Sequence, residues 1–236
     1  MKKLILFLSV FGLNFLYSQT EISVEANSGL FSFGGKSSAD NSMIIVNEGW
    51  SNSKYTNNPY GKKADLSIGI SVNVKKIFKN KMFIGSSLGY ENLKSKININ
   101  EVYYTTDYGN PEQFSATGKT NLIYNNINFY PYFGYRIPAK TINFDISAGA
   151  DFGFILSAKE KGSAKDSDGI TYETSLDRKT ISTDFRPRIQ LDAHYQKFGI
   201  YLGYSLGTVN YMKDYIGGNF DAKSKMLRFG LTYQLK

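Results

Sequence analysis

Strict alternation of apolar and polar residues marks Ile142–Leu156, which reads INFDISAGADFGFIL. Every even position is apolar, and every odd position except Ile155 is polar or glycine. Successive side chains leave a strand on opposite sides, so the stretch predicts one strand with an apolar face and a face that carries Asp145 and Asp151. The stretch is longer than the about 9 to 11 residues that a tilted strand needs to cross a membrane.

Seven further segments show the same period of two. They are residues 21–33, 65–75, 82–91, 121–137, 183–195, 198–209 and 226–235. Their connections alternate between long polar loops and tight turns, and only the last connection is of medium length. This order predicts an all-β fold, an eight-stranded antiparallel up-and-down transmembrane β-barrel with long loops outside and turns in the periplasm.

A soluble up-and-down barrel would share the alternation, but its charged face would point outward to water. Here the polar face is rich in Gly and Ser, which are small enough to fill the narrow interior of an eight-stranded barrel. The pattern therefore favours the transmembrane barrel.

Three details qualify the strand pattern. Near Gly29 the alternation shifts so that Phe31 and Phe33 continue the apolar row, which predicts a bulge. Pro131 cannot donate to a sheet and counts against a central position, although the alternation around it still predicts a strand. In the polar segment 92–120, the apolar pair Ile97 and Ile99 predicts that two strands continue beyond the membrane as a hairpin.

The chain begins MKKLILFLSVFGLNFLYSQ, with two lysines, an apolar run and a small polar end. This plan predicts a signal peptide over residues 1–18, followed by a single barrel domain over residues 19–236. A retained anchor helix is disfavoured because the apolar run is short. The sequence has no cysteine, which excludes a lipoprotein anchor and disulfides and fits an exported bacterial envelope protein.

With the strands assigned, the chain resembles the Bacteroidetes-type outer-membrane β-barrel domain family, which includes porin-like and PorT-like proteins. The likeness lies in the Tyr-Ser-Gln that ends the signal, in AGADFGFILSAKEKG, in GIYLGYSLGTVN and in the closing MLRFGLTYQLK. It implies the outer membrane of a Gram-negative cell and a part in protein secretion, and it brings no catalytic residues. Barrels of this kind often end in an aromatic residue, whereas this chain ends in Gln234-Leu235-Lys236.

Charged residues fall on the polar face of the predicted strands. They are Asp65, Lys75, Arg136, Asp145, Asp151, Asp184, Arg186, Arg188, Asp192 and Arg228. An unpaired buried charge is costly, so these side chains are expected to pair. If the strands 142–156 and 183–195 have their loop ends level, Asp151 lies opposite Arg188 and Asp145 opposite His194.

Two interpretations of the interior stay open. Because eight strands leave no aqueous channel, the charges predict an ion-pair cluster that plugs the lumen. The members of that predicted cluster are Asp145, Asp151, Arg186, Arg188, Asp192 and Arg228. The alternative is a narrow polar pathway or a small-ligand cup near Arg186, Arg188 and Arg228.

Catalytic and metal sites are not predicted. His194, the only histidine, lies near the periplasmic end, whereas an outer-leaflet lipid enzyme needs its histidine or acids at the outer surface. The run Asp166-Ser167-Asp168-Gly169 resembles the start of a calcium loop but lacks the later ligands, so it predicts a turn. No cofactor is expected.

Trp50, Tyr55 and Tyr60 lie in the first long loop among Asn, Ser and Gly. This composition suits contacts with a protein or glycan partner, or else the three rings extend the interfacial aromatic girdle. The formal net charge of +8 is concentrated at the periplasmic turns. Lysines 75, 76, 79, 81, 140, 197 and 236 lie there, which predicts contact with anionic lipid or an acidic partner and not with nucleic acid.

The sequence therefore predicts a monomeric, non-enzymatic outer-membrane barrel that binds a partner or supports an envelope assembly through its long loops. A small pore or ligand transporter is the alternative, and an outer-leaflet lipid enzyme is the third candidate.

Overall fold

The computed structural model describes residues 19–48, 52–106, 109–215 and 217–236, which form eleven strands. These are β1 Gln19–Gly34, β2 Asn41–Glu48, β3 Ser53–Thr56, β4 Lys63–Ile77, β5 Met82–Thr106, β6 Glu112–Ala139, β7 Ile142–Asp166, β8 Thr171–Asp177, β9 Thr183–Tyr195, β10 Phe198–Leu206 and β11 Lys223–Gln234. No helix among these residues is long and apolar enough to cross a membrane. The predicted signal peptide lies outside the described residues.

Eight of the strands close into a ring. β1 pairs with β4, and the ring continues through β5, β6, β7, β9, β10 and β11 before β11 returns to β1, with every pairing antiparallel. Tight turns with positive φ at Lys81, Lys140 and Gln196 join strands at one end, and the longer connections lie at the other. The prediction of an eight-stranded antiparallel up-and-down barrel is confirmed.

The two faces of β7 show which side of the barrel meets lipid. Asp145 and Asp151 are 0% exposed, whereas Ile146 and Leu156 are 52% and 56% exposed. The same outward apolar exposure is found for Ile68, Leu88, Phe133, Ile189, Ile200 and Leu231 on six other strands. A continuous apolar belt around a polar interior is the arrangement of a transmembrane barrel, so the alternation was correctly interpreted.

The predicted bulge in β1 is wrong. The register of β1 against both β4 and β11 runs through Gly29 without a shift. Phe31 and Phe33 lie on the inner face, 0% and 1% exposed. The interior changes from polar to aromatic towards the extracellular end, so inward positions become apolar there while the strand keeps its phase. In β6, Pro131 lies opposite Ser86 of β5 inside a continuous strand, which confirms that strand.

Beyond the apolar belt, β5 and β6 continue as a paired hairpin as far as Tyr104 and Glu112, which confirms the predicted extension. The segments predicted as loops also contain strands, because β2 pairs in parallel with β5, β3 pairs with β2, and β8 pairs with the outer part of β7. We call β2, β3, β8 and residues 93–106, 112–126 and 157–166 the extracellular sheet. Its buried core contains Ile44, Val46, Ile97, Ile99, Val102, Ala116 and Ala164.

Candidate functional site

Three arginines and three carboxylates meet inside the barrel. This central cluster consists of Glu91, Asp151, Asp184, Arg186, Arg188 and Arg228, all buried. Arg228 donates to both carboxylate oxygens of Glu91, and its Nη2 lies 3.3 Å from Asp151 Oδ2. Arg188 Nη1 lies 3.2 Å from Asp151 Oδ1. The formal charges of the cluster cancel, which is what a low-dielectric interior requires.

Arg186 fills the remaining space of the central cluster. Its Nη1 lies 3.3 Å from Asp184 Oδ2, and its Nη2 lies 3.7 Å from Glu91 Oε2. The Nη2 atom also donates to the amide oxygen of Asn128 at 3.3 Å. Because each arginine contacts more than one acceptor, the cluster forms one connected network across the lumen.

The predicted register between β7 and β9 is wrong by two residues. Asp151 lies opposite Arg186 and Asp145 opposite Asp192. The outer ends of these strands are not level, because β7 continues to Asp166 and pairs there with β8. Arg188 still reaches Asp151 from the neighbouring inward position.

A second cluster lies nearer the periplasmic end. Lys75 Nζ is 2.6 Å from Asp145 Oδ2, and Arg136 Nε is 2.7 Å from Asp145 Oδ1. Arg136 also donates to both oxygens of Glu21, at 2.6 and 2.9 Å. Two cations and two carboxylates therefore balance again. Lys75 was predicted both among the inward charges and in the basic periplasmic rim, and its burial confirms the inward position. His194 Nε2 lies 3.7 Å from Asp145 Oδ2.

Two predicted members of the interior set behave differently. Asp192 is buried but forms no ion pair with the described residues, and it accepts a hydrogen bond from Gln190 Nε2 at 2.9 Å. Asp65 leaves the inner row because the register of β4 against β5 shifts between Ala64 and Ile68. Its carboxylate accepts a hydrogen bond from Asn121 on the outer side of the sheet.

The sequence reasoning missed three interior glutamates. Glu21 and Glu25 occupy inward positions of β1, and Glu91 occupies one of β5. Glu25 accepts hydrogen bonds from Ser71, Asn73 and Ser87 at 2.7, 2.8 and 3.1 Å. Glu21 and Glu25 alternate with apolar Ile22, Val24 and Ala26, so extending the period of two to the polar side of β1 would have found both.

Little space is left between these side chains. A cavity of about 10 Å³ lies beside Glu25, Glu91 and Arg188, which is room for about one water molecule. The guanidinium carbon of Arg188 lies 4.0 Å from the ring centroid of Tyr130. The phenol of Tyr132 donates to Asn73 at 2.7 Å. Side chains thus fill the middle of the lumen.

An aromatic core covers the extracellular end of the central cluster. It includes Phe31, Phe33, Tyr60, Tyr124 and Tyr211. Tyr211 donates its hydroxyl to Asp184 Oδ2 at 2.7 Å, which ties this core to the charges below it.

Tyr60 was predicted to be a contact residue of the first loop, but it is 0% exposed. Burial raises the pKa of its phenol well above the usual value. The Tyr60 ring is part of the aromatic core, where Phe33 and Tyr211 both pack against it. Tyr60 is therefore excluded from a contact surface, and Trp50 lies outside the described residues.

Tyr55 lies half-buried on β3, where the Arg178 guanidinium carbon is 5.6 Å from its ring centroid. Arg178 Nε donates to buried Glu160 at 2.7 Å, and the backbone N–H of Thr56 donates to Glu160 at 2.8 Å. These hydrogen bonds connect β3 to β7, two strands of the extracellular sheet that are not paired with each other.

No metal site is found within the described ranges, since no three His, Cys, Asp or Glu side chains are placed to hold an ion. The Asp166 carboxylate accepts hydrogen bonds from the backbone N–H of Asp168 and Ile170, at 3.0 and 2.8 Å. The prediction of a turn at this position is confirmed.

The closed ring, the apolar belt and the ion-paired interior define an eight-stranded transmembrane β-barrel.

No family model and no curated protein matches the sequence. The chain is similar in structure to Ail, the attachment invasion locus protein of Yersinia pestis, solved with the heparin analogue sucrose octasulfate. The two share 12% identity with a TM-score of 0.37, over 93% of this chain and 99% of Ail.

Two Neisseria proteins also match in structure. Neisserial surface protein A shares 10% identity with a TM-score of 0.31, over 91% of this chain and 98% of that protein. The translocator domain of the autotransporter NalP from Neisseria meningitidis shares 11% identity with a TM-score of 0.29, over 99% and 94% of the two chains. At these identities the likeness concerns the fold alone, and the resemblance to PorT-like proteins stays a prediction.

Proposed function

We propose that this chain is a non-enzymatic, monomeric barrel of the bacterial outer membrane that binds a partner, or supports an envelope assembly, through its extracellular sheet. The observation that carries this proposal is the construction of the sheet. It has a hydrophobic core of its own, and buried Glu160 connects its strands. A structured platform outside the membrane is suited to presenting a fixed surface to a partner.

The filled interior argues against the alternative of a small pore or ligand transporter. A conducting path would have to pass the central cluster and the second cluster, in which every arginine is held by a carboxylate. Opening either layer would leave buried charges unpaired, which is strongly destabilising. The interior charges therefore act as a structural plug in this proposal.

The position of His194 argues against an outer-leaflet lipid enzyme. Its imidazole faces Asp145 in the cluster near the periplasmic turns, at the opposite end from the extracellular sheet. A nucleophile and base acting on outer-leaflet lipid would need to lie at the other rim. The predicted export signal, and the part in secretion that PorT-like proteins imply, agree with a role in the envelope.

A comparison of captured partners tests the proposal. In one variant, an Asn-Gly turn replaces residues 99–118, which removes the hairpin tip and the pairing partner of β2 while leaving the barrel strands. We expect proteins or glycans that co-purify with the wild-type barrel from detergent-solubilised outer membrane to be lost from this variant. Heat-modifiable mobility on gels checks that the barrel still folds.

The matched control deletes exposed residues 217–219 from the last loop and should retain the same partners. An identical set of partners for all three proteins would contradict the proposal, because the extracellular sheet would then contribute nothing to binding.

A further inference from the structure

The outer surface of the extracellular sheet carries a concentration of lysines. We call it the lysine face, and it consists of Lys94, Lys96, Lys119, Lys159, Lys161 and Lys165. These side chains occupy outward positions on β5, β6 and β7, while residues between them, such as Ser95, Glu160 and Ala164, are buried. Alternation along the strands therefore places the lysines on one side.

The pairing of the strands brings these lysines close together. Lys119 lies opposite Ser163, so its diagonal neighbours across the pair are Lys161 and Lys165. Lys96 lies opposite Asn121 and is a diagonal neighbour of Lys119 on the other side. Diagonal positions of an antiparallel pair are about 7 to 8 Å apart. Four lysines thus form one connected group across three strands.

Two open grooves follow this group. One, of about 590 Å³, is lined by Lys119 and Lys161, and the other, of about 510 Å³, is lined by Lys96, Lys119 and Lys165. Serine, threonine and asparagine side chains in both linings offer hydrogen bonds, and one carboxylate, Glu173, lines the first groove. The grooves are shallow and polar, as suits a saccharide chain more than an apolar ligand.

The positive charge of the lysine face is only partly balanced by nearby carboxylates. Asp177 lies opposite Lys159, and Glu173 is a diagonal neighbour of Lys161 and Lys165. Neither forms an ion pair with these lysines in the described part of the chain. With Asp65 as the third carboxylate on this surface, the lysines remain in excess. Neighbouring like charges weaken a sheet. A ligand with several negative charges would remove this repulsion, so charge complementarity indicates a polyanion.

The height of the lysine face indicates which polyanion it meets. Tyr90 and Leu156 lie at the top of the exposed apolar belt. Lys94 and Lys159 lie about 10 to 13 Å further along their strands, and Lys165 about 30 Å further. The headgroup layer of a phospholipid leaflet is only about 5 to 8 Å thick. Even for tilted strands, the upper lysines lie in the layer above it, where lipid-linked saccharide is found.

We propose that the lysine face binds the phosphate- and carboxylate-bearing saccharide of outer-leaflet lipopolysaccharide. This inference rests on the proposed function, because it names a ligand class for the extracellular sheet. The lower lysines contact the phosphates nearest the membrane, and the connected group of Lys96, Lys119, Lys161 and Lys165 contacts acidic sugars above them. The barrel is thereby fastened to the glycan layer that surrounds it.

Binding of deacylated lipopolysaccharide to the full-length barrel in phosphatidylcholine nanodiscs tests the proposal. The variant K96Q/K119Q/K161Q/K165Q is expected to bind this probe at least about tenfold more weakly than wild type, since each lysine near an anionic layer contributes measurably. Raising the salt concentration should weaken wild-type binding more than binding by the variant. The substituted side chains are on the surface, so the barrel should fold unchanged.

A second quadruple variant, K36Q/K179Q/K213Q/K225Q, removes the same charge from exposed lysines elsewhere on the extracellular half. It should retain wild-type affinity within about twofold, because distant exposed charges are screened. Equal loss of binding in both variants, or absence of wild-type binding, would overturn the proposal. The proposal would also be overturned if the wild-type barrel bound a sulfated oligosaccharide but did not bind deacylated lipopolysaccharide.

These outcomes are separate from those of the proposed function. Suppose that the wild-type barrel does not bind deacylated lipopolysaccharide, but that its partners are lost when residues 99–118 are replaced. The protein then still acts through the extracellular sheet, and only the proposed ligand class is wrong.

Discussion

Replacing Arg228 by alanine is expected to destabilise the barrel by about 3 to 5 kcal/mol, the usual cost of removing one partner from a buried ion pair. Arg228 is 1% exposed and holds Glu91 and Asp151 together. Without it, two arginines face three carboxylates in the low-dielectric interior, and one negative charge stays unpaired. Urea unfolding in detergent micelles, followed by far-ultraviolet circular dichroism, measures the change.

A double-mutant cycle identifies the cause of this loss. Glu91→Gln combined with Arg228→Met removes one charge of each sign, and Asp151 keeps Arg186 and Arg188 as partners. The double variant should therefore be more stable than the sum of the two single changes predicts. Strict additivity would show that the arginine acts through its volume and not through its charge.

Phe33→Ala is expected to cost about 3 to 5 kcal/mol, the range for emptying a buried aromatic site. The Phe33 ring makes edge contacts with Phe31, Tyr60 and Tyr211, at centroid distances of 5.3, 5.1 and 5.0 Å. The cavity would lie where the first loop joins the barrel. Urea unfolding gives the free energy, and limited proteolysis should show earlier cleavage near Tyr60.

Phe133→Ala is the matched control, since Phe133 is 61% exposed on the apolar belt. Detergent or lipid tails can occupy the vacated space, so the loss should be well below that of Phe33→Ala. Similar losses for the two changes would contradict the assignment of Phe33 to a packed core.

The fold could be predicted because one rule holds along the membrane-spanning part of each barrel strand. A strand with lipid on one side and a narrow polar lumen on the other must alternate, and a shift by one residue would exchange the two faces. The segment 142–156 carries this rule almost without exception. The turns at Lys140 and Gln196 then set the order of the strands.

The interior pairs could be predicted only as a set. The alternation shows that Asp151 and Arg186 face inward, but the register depends on how far β7 continues past its neighbour, which the sequence does not reveal. The bulge at Gly29 was wrongly predicted for a related reason, because it too depends on surroundings that the sequence does not show. Phe31 and Phe33 keep their phase because the surroundings change from polar to aromatic, a change that only the tertiary structure shows.

Apart from the predicted hairpin of β5 and β6, the extracellular sheet could not be recognised from its composition. Its strands are rich in Lys, Asn, Ser and Thr, which resemble loop sequence, and its apolar core residues are contributed by distant segments. Basic and acidic residues are equal in number over residues 157–182, and Lys159, Glu160 and Lys161 are adjacent in the chain, so the sequence alone shows no concentration of positive charge there. On a strand these residues alternate, so Glu160 is buried against Arg178 while both lysines face outward.

Single-channel recording in planar bilayers tests most directly whether the barrel is sealed and therefore acts through its outer surface. The wild-type protein, shown to be folded by its heat-modifiable mobility, should give no stable conductance steps, because two neutral ion-pair clusters fill its lumen. Reproducible openings of the folded wild-type barrel would contradict this account and would favour a pore.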